Sequence, residues 1–243
     1  MPYSKYLKPG QKVLLRAHRP AAAKERFEAL TAFVRELGPD HLDLTLPYRA
    51  REGEEYPFAP GMSFELLSDA LGLGIRLTGA YQSSRGTSLI RLHHNRDLEL
   101  IRRRYFKRRN ATVGLRYTKG QGKLRTFRAQ WEKNIRIIGS GKALDSLPNF
   151  PRCRVNLSGG GIRFALKMPA AIADLCLLLL ELPDGKPPIC ALAEVVWLDE
   201  KEVEGRHLAG MQFLNILETD RKRIDQFIQS GDPEFEEDKL ATA

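Results

Sequence analysis

The stretch Arg152-Cys153-Arg154-Val155-Asn156-Leu157-Ser158-Gly159-Gly160-Gly161-Ile162-Arg163-Phe164-Ala165-Leu166 reads as two short strand-like runs joined by a polar, glycine-rich turn. Asn, Ser and Gly are ordinary turn residues, so the turn alone says only that the chain reverses. Its weight comes from a second stretch roughly fifty residues upstream, Arg102-Arg103-Arg104-Tyr105-Phe106-Lys107-Arg108-Arg109, which puts six cations in eight residues. Guanidinium forks match phosphate oxygens and the O6/N7 edge of guanine. An Asn amide can pair with further base-edge groups, and glycines allow a backbone to come close to a ligand. Together the two stretches point to an anionic, guanine-bearing ligand.

Arg104-x-x-x-Arg108 followed by Asn156-x-Ser158-x-x-Gly161 resembles the two signature motifs of PilZ domains, RxxxR and (D/N)xSxxG. PilZ domains are receptors for the bacterial second messenger cyclic di-GMP. The literal register takes Arg104 and Arg108 as the pair, with Arg103 as the extra arginine that many members carry; a one-residue slip takes Arg103 with Lys107. The resemblance implies that these arginines close over the phosphates and stack on the guanines of an intercalated ligand dimer. It implies that Asn156 and Ser158 contact a guanine edge or phosphate, and that Gly161 permits close approach. Asn stands where many members have Asp, which weakens acceptance from guanine N1–H and N2–H. Arg163, on the strand beyond Gly161, either faces the same pocket or is an ordinary solvent-facing strand residue, and Arg109 is expected to face solvent.

The strand pattern agrees with that resemblance. Thr112 to Tyr117 opens a second strand set, and Leu175–Leu182, Ile189–Leu198 and His207–Leu214 complete it. Asp184-Gly185 is a hairpin signal. Glu218–Gln229 has an apolar face of Ile224, Phe227 and Ile228 at helical spacing. Gly210-Met211-Gln212-Phe213 resembles the family's Gly-x-x-Phe strand end. Upstream, the runs at 10–16, 41–47, 62–67, 74–81 and 88–92 suit a small antiparallel barrel. Two segments stay open between helix and strand: Ala21–Leu37, where Phe27, Leu30, Phe33, Val34 and Leu37 are helically spaced, and Phe127–Gly139, with Trp131, Ile135 and Ile138. No internal repeat is visible.

The fold expected is therefore mainly all-β: two small antiparallel β-barrels, the C-terminal one a six-stranded PilZ-type barrel followed by an α-helix. The layout resembles the two-domain flagellar-brake (YcgR-like) subfamily. It implies an N-terminal β domain over 1–100, an arginine-rich linker over 101–111, the PilZ domain over 112–230 and an acidic flexible tail over 231–243.

Composition bounds the function. The 243 residues carry a net charge of +9, which favours anionic partners, and 42% hydrophobic residues suffice for packed cores. No apolar run approaches the length that crosses a bilayer, and no signal-peptide pattern follows Met1, so a cytoplasmic protein is expected. Cys153, Cys176 and Cys190 sit in apolar contexts without metal or redox spacing. Ser158 lacks the nucleophile-elbow pattern, neither Gly-Lys loop completes a P-loop, and the histidines have poor metal geometry. No catalytic residue, metal site or cofactor is expected. The expected partners are cyclic di-GMP and a regulated protein in motility, the flagellar motor or biofilm attachment. A basic nucleic-acid-binding barrel is the alternative, with nucleic acid not expected as partner under the first reading.

Overall fold

The computed structural model describes residues 2–18, 26–48, 50–70, 72–102, 106–120, 123–141, 149–167, 169–203 and 205–230. The chain divides into two compact units, Met1–Tyr105 with Gly122–Thr126, and Phe106–Gln121 with Phe127–Ala243.

The first unit contains β1 (Lys12–Ala17), β2 (Arg26–Leu37), β3 (His41–Thr45), β4 (Ser63–Ala70), β5 (Leu73–Arg85), β6 (Leu89–His94) and the short β7 (Glu99–Ile101). Antiparallel pairing runs β1–β2–β3–β6–β5–β4 and returns to β1, closing a six-stranded barrel, with β7 added against β5. Segment β2 is a strand despite its helical spacing. Phe27 to Ala32 are all buried, and a strand covered on both faces loses the alternation that would mark it. The interior is filled by Leu15, Leu30, Leu42, Leu44, Phe64, Ile75, Leu77 and Leu92, all at most 1% exposed. Arg91 grips Asp43 through both carboxylate oxygens at 2.6 and 2.7 Å.

The second unit contains β8 (Arg109–Gly120), β9 (Arg152–Ser158), β10 (Gly161–Leu166), β11 (Leu175–Glu181), β12 (Ile189–Val203) and β13 (Arg206–Leu217), with helices α1 (Leu124–Ser140) and α2 (Glu218–Gln229). Pairing runs β8–β9–β10–β13–β12–β11 and returns to β8, a second closed antiparallel barrel. The mainly-β, two-barrel expectation with a C-terminal helix is met. Strand β8 begins at Arg109, ahead of the expected Thr112, so Arg109 to Ala111 are paired backbone. The segment around Trp131 is a helix: no Gly or Pro interrupts it before Gly139, and Gly141 ends it with a left-handed φ of 68°. The indole Nε1–H of Trp131 donates to the Cys190 carbonyl at 2.9 Å, and Trp131 is buried. Asp184-Gly185 makes the expected turn, with φ 67° at Gly185.

Candidate functional site

Strand pairing lines up five residues in one row across the second barrel: Asn110 on β8, Asn156 on β9, Arg163 on β10, Gly210 on β13 and Trp197 on β12. Directly opposed residues share a face of the sheet. The face is the outer one, because the flanking residues Val155, Leu157, Ile162, Phe164, Ala209 and Met211 are buried and alternate with the row. A bulge between Val195 and Trp197 inserts Val196 and re-aims the indole. Trp197 is 44% exposed, and a Cβ on Gly210 would meet its Cβ and Cε3 at 3.5 Å. The glycine thus gives the indole a flat seat one strand away from Arg163.

Asn156 is oriented by its neighbour: its Nδ2 donates to Asn110 Oδ1 at 2.8 Å. That bond commits an amide N–H sideways and leaves the Asn156 side-chain oxygen as an acceptor. Arg152 and Arg154, both exposed, precede it on β9, and Arg154 lies two residues from Asn156, on the same face. The row therefore combines an exposed aromatic plane, a guanidinium, paired amides and further cations. These groups can stack on a planar base, read its polar edge and neutralise phosphate.

The other expected residues fall in different surroundings. Ser158 is buried, and its hydroxyl donates to the Gly161 carbonyl at 3.2 Å, bracing the turn. Gly161 is needed for packing: a Cβ there would strike the Met211 carbonyl oxygen of the adjacent strand. Lys107 and Arg108 are exposed just before β8. Arg103 and Arg104 lie outside the described residues, as does the acidic segment 231–243. The expectation that Arg109 faces solvent is corrected. Its guanidinium lies 5.6 Å from the Phe227 ring centroid and donates to the Phe227 carbonyl at 3.2 Å, because β8 starts here and aims the side chain at α2.

Three residues of this surface were missed from the sequence: Asn110, Arg154 and Trp197. Asn110 directly follows the arginine run, which is a usable signal; Trp197 is identified only by a bulge and a register. Among the described residues no cluster of His, Cys, Asp or Glu could hold a metal ion. Burial pushes the Cys176 and Cys190 thiols up to about 12.

A sequence profile described as the PilZ domain matches residues 101–230. The chain belongs to the PilZ domain family. The matched span carries the whole row on the PilZ barrel, from Asn110 to Gly210, together with Lys107, Arg108 and α2. Among solved structures, Bacillus subtilis inhibitor of motility (MotI/DgrA) is similar at TM-score 0.37 and 14% identity, covering 92% of this chain and 96% of its own. Escherichia coli YcgR in complex with c-di-GMP is similar at TM-score 0.34 and 14% identity, covering 90% and 83%. K. pneumonia MrkH in its c-di-GMP complex gives TM-score 0.30 and 12% identity, covering 90% and 86%. None of the curated proteins matches the sequence.

Proposed function

We propose that the chain is a cyclic di-GMP receptor that regulates a protein partner and carries no catalytic activity of its own. The observation that carries this reading is the outer-face row of the PilZ barrel. The Trp197 ring offers a stacking plane, and Arg163 offers a bidentate fork for guanine O6/N7. The Asn156 carbonyl accepts from a guanine N–H while Asn110 holds its amide. Arg104 and Arg108, with Arg103 and Lys107 beside them, cover the phosphates, as the RxxxR resemblance implies. Gly161 and the buried Ser158 hydroxyl that bonds its carbonyl shape the turn that places Asn156.

Titration calorimetry with cyclic di-GMP tests the reading. Binding at micromolar affinity or better is expected, with no heat for GTP or cyclic di-AMP at the same concentration. No heat at about 100 μM cyclic di-GMP overturns it. The exposed Arg152 and Arg154 favour one rival, a nucleic-acid-binding surface. That rival requires affinity for oligonucleotides to fall steeply as salt rises, whereas a small dinucleotide releases few counterions.

The output follows from where the cations sit. A ligand that orders 103–108 also orders the backbone between β7 and β8, hence the connection between the two barrels. Binding at this junction then changes their relative arrangement and presents a different surface to the partner, of the motility or surface-attachment class that the family resemblance implies. Distances between spin labels at Ser83 and Ser230 measure this. A distribution unchanged at saturating ligand overturns the domain switch while leaving the receptor reading intact.

A further inference from the structure

Phe106 sits in the middle of Arg104-x-x-x-Arg108, and the structure gives its ring a built seat. A Cβ on Gly160 would lie 2.7 Å from Phe106 Cδ2, and one on Gly159 would lie 3.0 Å from Phe106 Cδ1. Neither glycine has a left-handed φ, so both are required here for close approach rather than for backbone freedom. The ring therefore rests directly on the turn that follows Asn156 and Ser158. From α2, the Arg221 guanidinium lies over the same ring, 5.4 Å from its centroid. Asp225, one helical turn on and on the same helix face, reaches the same turn: a Cβ on Gly159 would meet its Oδ1 at 2.5 Å. Arg109 then ties the chain beyond the motif to Phe227 of α2. Thus α2 touches the arginine segment at two places and the glycine turn at a third.

We propose that Phe106, seated on Gly159–Gly160 under Arg221 of α2, with Asp225 bracing the same glycine turn, is a positioning residue that presents the adjoining Lys107 and Arg108 to the ligand. The inference rests on the reading that this motif holds cyclic di-GMP. The ring pins the centre of a five-residue motif, so the chain running on through Lys107 and Arg108 starts from a defined backbone position. Without the pin, the ligand would have to order that backbone itself, and affinity would fall by the cost of that ordering. By reciprocity the ligand stabilises what the pin contacts, so α2 is the element that reports occupancy.

Amide hydrogen exchange and calorimetry on the full chain test this in two arms. In the ligand-free protein, Phe106→Ala and Arg221→Ala should speed exchange at Gly159 and Gly160 by about tenfold or more. In the second arm, Phe106→Ala should weaken cyclic di-GMP binding about tenfold or more, and Phe106→Tyr should restore it. Saturating ligand should slow exchange across 218–229 in the unmodified chain and not in Phe106→Ala. Unchanged or tighter binding by Phe106→Ala, or α2 exchange indifferent to ligand, overturns the proposal. Failure of the unmodified chain to bind overturns the receptor reading instead, and the ligand-free arm then still decides whether the clasp exists. Should Phe106→Ala fail to fold, Arg221→Ala, a partly exposed helix position, carries both arms.

Discussion

At the scale of single residues, neighbours in one cationic run have different partners. Arg108 is exposed and is the one proposed to meet the ligand, whereas Arg109 is spent on the Phe227 ring and carbonyl. Arg108→Ala is expected to cost about 2–4 kcal/mol of cyclic di-GMP binding, the range for truncating one partner of a desolvated charge pair. Arg109→Ala is expected to cost about 1 kcal/mol of stability, from a lost hydrogen bond and cation–π contact, measured by urea unfolding. Equal losses of affinity without loss of stability would describe a diffuse charged patch instead. Trp197→Ala is expected to remove about 1–3 kcal/mol of binding, the contribution of one stacked base. The chain has two tryptophans, and Trp131 is buried, so ligand quenching of fluorescence that survives Trp131→Phe reports Trp197 directly. A quench lost with Trp131 and kept in Trp197→Ala would remove the indole from the site. Thiol labelling at pH 8 should find Cys153, only half-buried, while Cys176 and Cys190 stay unreactive until the barrel unfolds, since burial disfavours their thiolates.

At the scale of elements, α1 sits between β8 and the strand that carries Asn156. Its anchor is the buried Trp131, whose N–H satisfies a carbonyl of central strand β12. Trp131→Phe leaves the Cys190 carbonyl unpaired and is expected to cost about 1–3 kcal/mol; Trp131→Ala adds a cavity and is expected to cost about 3–5 kcal/mol. Urea denaturation followed by circular dichroism measures both, and equal costs would show that the hydrogen bond contributes little. Helix α2 is built for its ends and its inner face. Glu218 and Asp220 complement the positive end of the helix, Ile224 packs inward, and Arg223 bonds Asp184 at the β11–β12 turn. That attachment makes α2 a firm base from which Arg221 reaches Phe106 and Asp225 reaches the Gly159 turn.

At the scale of the molecule, the two barrels share one strand order, first-second-third-sixth-fifth-fourth, though no repeat is visible in the sequence. Their carboxylates nevertheless respond to acid in opposite senses. In the first barrel, the hydrogen bonds from Arg91 hold Asp43 below the ordinary carboxylate range, and Asp97 is lowered by Thr78, whose hydrogen bonds outweigh burial. Burial also lowers the pKa of His94, keeping it neutral. Each group binds fewer protons folded than unfolded, so its stability is present at neutral pH. The His94 part is lost as pH falls below about 6.5 and the carboxylate part below about 4. In the second barrel, burial raises Asp220 against the pull of Arg223. Burial likewise raises Asp225 against Arg221 and the Gly159 N–H. These groups hold protons better when folded, so acid strengthens their contribution and rising pH removes it. Thermal unfolding between pH 7 and 4 should therefore destabilise the first barrel more than the second, with His94→Asn flattening the upper part of the first barrel's profile. A single transition shifting uniformly would contradict this.

The sequence by itself determined the strands that alternate, the hairpin at Asp184-Gly185, the amphipathic α2 and the two motifs, because these are signals of local period and turn chemistry. It determined the family for the same reason: RxxxR and NxSxxG are contiguous. The sequence left β2 open, since a strand buried on both faces carries no alternation, and only its pairing with β1 and β3 excludes a helix. Barrel closure, which brings β8 beside β11, depends on pairings between distant strands that no window contains. The same is true of the candidate site. Asn156 and Arg163 were legible, but Asn110 and Trp197 join them through register, and in Trp197's case through a one-residue bulge. Ser158 and Gly161 carry the motif's letters, and only the fold shows what lies against them: the Met211 carbonyl beside Gly161, and the Gly161 carbonyl that accepts from Ser158. Phe106 lies inside the signature and Arg109 directly after it, and only the packing of α2 assigns them to the helix rather than to solvent.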